Sequence, residues 1–251
     1  MKFKKIAIPL FFGLSSFAFS ESAIELSSNE NEILNSLIND DIETSLTGGE
    51  SLFSNNMIYS SAHDMREVYS KNEARGDKKF KGKDIIINGI VDNIHSGLGD
   101  IPQVHLKTKD KFHGVVLSFS KNYQDIPIDL DKNQEVLFYC KGGSVVVGSP
   151  TLKNCAPIEV AKEKIKNDID NSFQYALKNP SKADKKQAQI ISTIKYLSDK
   201  SNDMNECKTK DTNCFAELHK KYFKQKNAKE ELIEKAKLLG FSTENNDNKK
   251  V

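Results

Sequence analysis

The sequence predicts an α+β protein in which a small five-stranded β-barrel follows a short helix and precedes a lysine-rich α-helical C-terminal region. Between residues 83 and 158, β-branched residues fall in five strand-like stretches separated by turn signals rich in Gly, Asp and Lys. After residue 158, apolar residues recur mostly every four positions, which is the spacing of a helix. Because closure removes exposed strand edges, five short strands in so small a region favour a barrel.

We predict five segments along the 251 residues. In chain order they are a signal peptide (1–20), an acidic and loosely ordered N-terminal arm (21–59), the barrel with its leading helix (60–158), a helical C-terminal region (159–241) and a disordered tail (242–251). Apolar residues at helical spacing between positions 33 and 42 predict one short helix within the arm.

The leading helix is predicted over residues 60–76, with Ser60 or Ser61 as its N-cap and Met65 and Tyr69 on its apolar stripe.

Gly89 interrupts the first strand, where glycine permits the sharp bend of a small barrel. The predicted strands are 85–94, 103–108, 113–120, 134–141 and an interrupted fifth, 145–148 resuming at 151–158. The predicted turns are 96–100, 109–111 and 142–143. The C-terminal helices are predicted over 158–177, 183–197, 207–223 and 228–239, the last ending at Gly240.

The first twenty residues are typical of an export signal. Three Lys in the first five residues precede an apolar run over 6–19, and an A-x-S site ends at Ser20, before Glu21. The run is shorter than the roughly 20 residues that span a membrane, so we expect cleavage near Ser20/Glu21 and no membrane span. No Cys lies near the cleavage site, so we expect no lipid anchor. The predicted location is periplasmic or secreted.

The four cysteines, Cys140, Cys155, Cys207 and Cys214, are an even number in a chain headed for an oxidising compartment, which predicts two disulfides. Three pairings exist. We favour Cys140 with Cys155 and Cys207 with Cys214, because each pair falls inside one apparent structural unit. A four-ligand zinc site is disfavoured because neither pair has C-x2-C spacing.

Charge is distributed unevenly. Residues 21–60 hold eight acidic and no basic residues, whereas residues 161–251 hold twenty Lys against fourteen acids. Cleavage of the leader removes three of the 37 basic residues and leaves 34 against 35 acids, a net charge of −1. This balance does not indicate a generic polyanion-binding protein, and it leaves open whether the acidic arm contacts the basic region 161–251 electrostatically.

Residues 62–158 combine a helix carrying Met65 and Tyr69, the run Lys-Phe-Lys-Gly-Lys at 79–83, a strand with Gly89-Ile90-Val91, and the pair Cys140 and Cys155. This combination resembles the tRNA_anti-like family of bacterial OB-fold proteins, which are found largely among exported proteins and lipoproteins. The resemblance implies a five-stranded OB-fold barrel with Cys140 on strand four facing Cys155 on strand five. The family name reflects likeness to the anticodon-binding OB-fold of tRNA synthetases and does not imply tRNA binding.

OB-folds usually bind ligands along strands two and three and through the loops that join strands one to two and four to five. Here those loops are 95–102 and 142–150. Lysines on the hairpin between strands two and three could contact phosphates, with Phe112 and Tyr123 stacking on bases. The alternative is a solvated hairpin with Phe112 in the core. The loop 142–150 is uncharged up to Pro150, which suits a protein or a sugar. The candidate binding residues are His95, Lys107, Lys109, Lys111, Phe112, Ser144 and Ser149.

Catalytic groups are not recognisable in the sequence. The five histidines are dispersed, both arginines precede the barrel, and P-loop, G-x-S-x-G and H-E-x-x-H motifs are absent. We therefore predict a protein that is not an enzyme and needs no cofactor or metal; a metal site using His105 and His113 is the alternative.

These observations predict an exported, non-catalytic binding module that recognises a protein or an envelope glycan through loops 95–102 and 142–150. The alternative is a single-stranded nucleic-acid binding protein acting outside the cytoplasm, using the Lys107, Lys109 and Lys111 hairpin and the lysine-rich tail.

Overall fold

A computed structural model describes residues 23–53, 57–97, 99 and 101–242. The predicted signal peptide and all but the first residue of the predicted disordered tail lie outside these residues. Within the described residues, no helix combines the length and the apolar character needed to cross a membrane.

Six strands and seven α-helices make up the described chain. The strands are β1 (Ile58–Ser61), β2 (Asp84–Ser96), β3 (Pro102–Leu106), β4 (Val115–Phe119), β5 (Glu135–Val146) and β6 (Ser149–Pro157). The helices are α1 (Ser28–Leu46), α2 (Ala62–Lys71), α3 (Glu73–Phe80), α4 (Ile158–Lys178), α5 (Lys185–Lys200), α6 (Thr212–Tyr222) and α7 (Ala228–Leu238).

Strands β2 to β6 close the predicted barrel in the order β2-β3-β4-β6-β5-β2. All neighbours are antiparallel except β4 and β6, which are parallel, and this mixed five-stranded topology confirms the OB-fold. The first half of β2 pairs with β5 and its second half with β3. Gly89 lies just before this change of partner, where a Cβ would come within 3.1 Å of Ala62 Cβ and Leu106 Cδ1. The short strand β1 adds to β2 outside the barrel.

The barrel core is closed by α2 and α3 and by a disulfide. Tyr69 and Phe80 stack with ring centroids 5.8 Å apart, and Gly76 leaves room for the tyrosine ring. Cys140 and Cys155 are bonded and fully buried, as predicted. Closing this 15-residue separation stabilises the fold by roughly 3 kcal/mol in the chain-entropy model.

The helix predicted over 60–76 begins where it was predicted, at the N-cap Ser61, but it is interrupted at Asn72 and helical structure continues to Phe80. Residues up to Ser61 form β1, and Ser61 then caps α2 by accepting a hydrogen bond from the Asp64 amide. Asn72 adopts extended backbone, ends α2, and caps α3 through its own side chain. Local capping by Ser61 and Asn72 therefore divides one amphipathic pattern into three elements.

The turn predicted at Gly142-Gly143 is also wrong, because both glycines lie inside β5 and the chain reverses at Val147-Gly148. A Cβ at Gly142 would stand 1.9 Å from the Phe80 carbonyl oxygen. Glycine is needed there for close backbone approach, not for a turn.

The N-terminal arm is not loosely ordered over residues 23–53. Helix α1 has a capping box formed by Ser27 and Glu30. Its apolar stripe packs into the core of the helical C-terminal region, and the buried side chains are Ile33, Leu34, Leu37, Ile38, Ile42 and Leu46. The acidic arm and the basic region 161–251 are in electrostatic contact through the pairs Glu30–Lys195 (2.9 Å) and Glu43–Lys162 (2.7 Å), which the sequence had left open.

The helical C-terminal region carries the second predicted disulfide, Cys207–Cys214. Helix α6 begins later than predicted, because the Asp211 side chain caps it by accepting from the Cys214 amide. Cys207 therefore lies before the helix. Gly240 has a φ of +82° after α7, which confirms it as the glycine that ends this helix.

Asp84, at the start of β2, joins the barrel to the helical region. Its carboxylate accepts hydrogen bonds from Tyr139 (2.8 Å) and Lys141 (3.1 Å) of the barrel and from Lys164 of α4 (2.7 Å). Burial alone would raise the pKa of Asp84, but the hydrogen bonds from these three groups outweigh it and lower the pKa to about 2. The charged form therefore stabilises the junction.

We predict that Asp84→Asn lowers the free energy of unfolding by about 2 kcal/mol at pH 7, measured by urea denaturation. The pKa of Asp84 in the folded protein is depressed below its ordinary value of 3.8, so the stabilisation is present above about pH 4 and lost as the pH falls towards 2. The variant should lose less stability than the wild type over that range.

Asp170→Asn is the matched control, because its pair with Lys166 is an exposed contact within one helix. It should change stability by less than about 0.5 kcal/mol. Equal effects of the two substitutions would contradict the role of Asp84.

Candidate functional site

The outer surface of β2, β3 and β4 is polar and is the face on which OB-folds bind ligands. Strand alternation sends Val104 and Leu106 into the barrel and their neighbours outward. Gln103 Nε2 on β3 donates to Ser118 Oγ on β4 at 3.2 Å. We call this surface the binding face; its outward residues are Asn93, His95, Gln103, His105, Lys107, Val116 and Ser118.

Two histidines meet on the binding face. A register shift between Val91 and Asn93 sets Asn93 opposite His105 and His95 opposite Gln103, so the two imidazoles are diagonal neighbours with ring centroids 4.2 Å apart. His95 Nδ1 lies 3.2 Å from Asn93 Oδ1, whereas His105 Nε2 is buried without a hydrogen-bond partner. Burial, and then the charge of His95, lower the pKa of His105. His95 therefore lies on β2, just before the loop in which it was predicted.

The loop between β3 and β4, residues 107–114, is held by internal hydrogen bonds, and we call it the lysine loop. Thr108 Oγ1 donates to the His113 carbonyl at 2.9 Å and accepts from the Asp110 amide. Asp110 Oδ1 accepts from the Phe112 amide at 2.9 Å. These bonds turn Asp110 towards the barrel and Phe112 away from it.

Phe112 is consequently 90% exposed, with the exposed Lys109 and Lys111 on either side of Asp110. The alternative that placed Phe112 in the core is wrong, because Val115 and not Phe112 begins the inward alternation of β4. A groove of about 470 Å³ runs beside this loop to His105.

The negative charge of Asp110 is neutralised locally. Arg66 Nη2 on α2 and His113 Nδ1 each lie 2.9 Å from Asp110 Oδ2. The Phe112 amide contributes most to lowering the pKa of Asp110 to about 2; burial opposes the shift, and His113 and Arg66 add to it. Asp110 therefore leaves the charges of Lys109 and Lys111 available to a ligand. Sequence reasoning missed Arg66, because its partner lies 44 positions away.

The hairpin between β5 and β6 lies beside the lysine loop. A Cβ added at Gly148 would be 2.7 Å from His113 Cδ2, so the two segments are in contact. Val146 and Val147 are exposed at its tip, Val147 to 90%. Ser149 follows the turn directly and pairs with Val146, whereas Ser144 lies further along the first arm of the hairpin.

Two other residues predicted to contact a ligand, Lys107 and Tyr123, have contacts within the protein. Lys107 Nζ donates to Asn133 Oδ1, so Lys107 lies at the edge of the binding face with a fixed partner. Tyr123 packs against the barrel core and is not a stacking platform.

His105 and His113 do not form the alternative metal site, because His113 pairs with Asp110 and His105 with His95. Among the described residues, three potential ligands meet on α2, where ligand atoms of His63, Asp64 and Glu67 lie within 4.8 Å of one another. Glu67 is already paired with Lys71, and that hydrogen bond and charge lower its pKa.

Comparison with known proteins identifies the family. The family model tRNA_anti-like matches residues 1–156, which is more than half of the chain. The chain belongs to the tRNA_anti-like family.

Part of this tRNA_anti-like chain is similar to the crystal structure of a Klebsiella pneumoniae lipoprotein to which nucleic-acid binding is ascribed. The two share 15% identity with a TM-score of 0.33, over 39% of this chain and 90% of that protein. No curated protein matches the chain. The family match establishes the fold.

We predict that Asp110→Ala mobilises the lysine loop of this tRNA_anti-like protein. The Phe112 amide loses its acceptor, and Arg66, whose side chain is 14% exposed, loses its charged partner. Hydrogen exchange at the Phe112 amide should accelerate at least about tenfold, because that amide loses a hydrogen bond to a charged acceptor. Lys109→Ala, next in the chain but exposed, should leave that exchange rate unchanged; an equal acceleration would contradict the role of Asp110.

Proposed function

We propose that the protein binds single-stranded nucleic acid through the binding face and the lysine loop, without catalysing a reaction. The observation that carries the proposal is Phe112, which is 90% exposed on an internally hydrogen-bonded loop that also carries the exposed Lys109 and Lys111. Bases stack on exposed aromatic rings, and basic side chains beside such a ring can contact the phosphates.

The charges around Phe112 favour a phosphate backbone. Lys109 and Lys111 are exposed, and Asp110 between them is occupied by Arg66 and His113. Two acids of the N-terminal arm, Glu30 and Glu43, are paired with lysines of the helical region. A chain that is nearly neutral as a whole can therefore hold a local basic surface.

A single strand fits this surface better than a duplex. Stacking on Phe112 needs an unpaired base, and the groove beside it is lined by residues of β2, β3 and the lysine loop. Membership of the tRNA_anti-like family suggests a binding role rather than a catalytic one. The two disulfides and the predicted leader support a site of action outside the cytoplasm.

The test is titration of a labelled oligothymidylate of about 12 nucleotides with oxidised protein starting at Glu21. Phe112→Ala should weaken binding by about 5- to 100-fold, since one stacked base contributes about 1–3 kcal/mol. The logarithm of affinity should fall with the logarithm of salt with a slope near −2 if Lys107, Lys109 and Lys111 each contact a phosphate. Replacing Lys109 and Lys111 together with Ala should bring that slope to about −0.7.

Leu238→Ala and Lys237→Ala are the controls, since both residues are exposed on α7 away from the barrel. They should leave affinity and salt slope unchanged. Absence of binding at low salt, or equal binding to a duplex of the same length, would refute the proposal.

A protein partner is the second candidate function, and the exposed Val146 and Val147 favour it. Apolar side chains at a hairpin tip commonly mark a protein contact. A glycan partner, predicted beside a protein partner, stays a prediction, and most of the uncharged segment 142–150 forms paired strands. If this candidate is correct, an envelope protein captured by the wild type should be lost with Val147→Asp and retained with Leu238→Asp, and capture insensitive to Val147 would exclude it.

A further inference from the structure

We propose that His95 and His105 form a binding site for a divalent transition-metal ion such as Cu²⁺ on the outer face of the barrel. The two imidazoles come from adjacent strands, with ring centroids 4.2 Å apart and planes inclined at 53°. The rings are thus close enough for small side-chain rotations to direct one nitrogen of each at a common ion.

The hydrogen bonds around the pair leave suitable nitrogens for an ion. When His95 Nδ1 is protonated it donates to Asn93 Oδ1, 3.2 Å away, and His95 Nε2 then carries a lone pair. This arrangement, a ligating histidine fixed through its other nitrogen, is usual around protein-bound metals. His105 Nε2 is buried and has no hydrogen-bond partner, so it gains an interaction on binding an ion.

The surroundings favour a borderline metal with nitrogen ligands. Imidazole suits Cu²⁺, Zn²⁺ and Ni²⁺, and Cu²⁺ binds a given nitrogen site most tightly among the divalent first-row ions. The groove beside His105 is lined by Asp92 and Asn93 and is open to solvent, so water can complete the coordination. An ion here would add positive charge to the binding face near Lys107, but the proposal does not depend on nucleic-acid binding.

The test is titration of the oxidised protein with Cu²⁺, in which binding is measured by calorimetry and by electron paramagnetic resonance. We expect one ion per chain with nitrogen hyperfine structure from two imidazoles. His95→Asn and His105→Asn should each weaken binding at least tenfold. Circular dichroism and the urea midpoint should show that the fold is retained; if His105→Asn unfolds, His95→Asn decides alone, because His95 is exposed.

The controls separate this site from the other histidines. His63→Asn removes the cluster on α2, and His113→Asn removes the histidine of the lysine loop. Both should retain Cu²⁺ affinity and the spectrum. Loss of the ion with His63→Asn, or unchanged binding in both the His95 and the His105 variants, would overturn the proposal.

Discussion

Strand β2 is the constraint on which the rest of the structure depends. Its thirteen residues pair with β5 along the first half and with β3 along the second, so this one strand closes the barrel. Asp84 at its start collects hydrogen bonds from the barrel and from α4. His95 near its end belongs to the binding face. A shift of β2 by one residue would exchange its inward and outward side chains. The barrel closure, the Asp84 junction with α4 and the binding face would all be lost.

The lysine loop shows how a charged hairpin can be made rigid without losing its charge. Asp110 accepts hydrogen bonds from the Phe112 amide, Arg66 and His113. The one acid in the loop therefore organises the backbone, and its charge is already paired. Freezing the loop before a ligand arrives reduces the conformational entropy lost on binding. The same acid, left unpaired, would repel a phosphate group.

Most of the fold could be predicted from patterns within short stretches of the sequence. The strand stretches, both cysteine pairs and the caps at Ser61 and Gly240 are signals read within a few residues of each other, and the structure confirms them. The predictions were wrong where contacts between residues far apart in the sequence determine the local structure. Gly142 is required by the Phe80 carbonyl across the barrel, and α1 is ordered only because the C-terminal helices cover its apolar stripe. For the site, the lysines and Phe112 were read from sequence, but no local signal places Arg66 on Asp110.

The net charge of −1 for the chain after the predicted cleavage does not describe the charge at the proposed binding surface, because some charged residues are paired within the protein and others are exposed. Glu30 is almost completely buried against Lys195, so that pair serves packing between α1 and α5 and contributes little field at the surface. Lys109 and Lys111, in contrast, remain in solvent beside a neutralised acid. At physiological salt the screening length is about 8 Å, so a ligand near Phe112 responds to those lysines and not to acids at the far end of the molecule. Under the proposed function, local pairing and not total charge would therefore determine which ligand the barrel attracts.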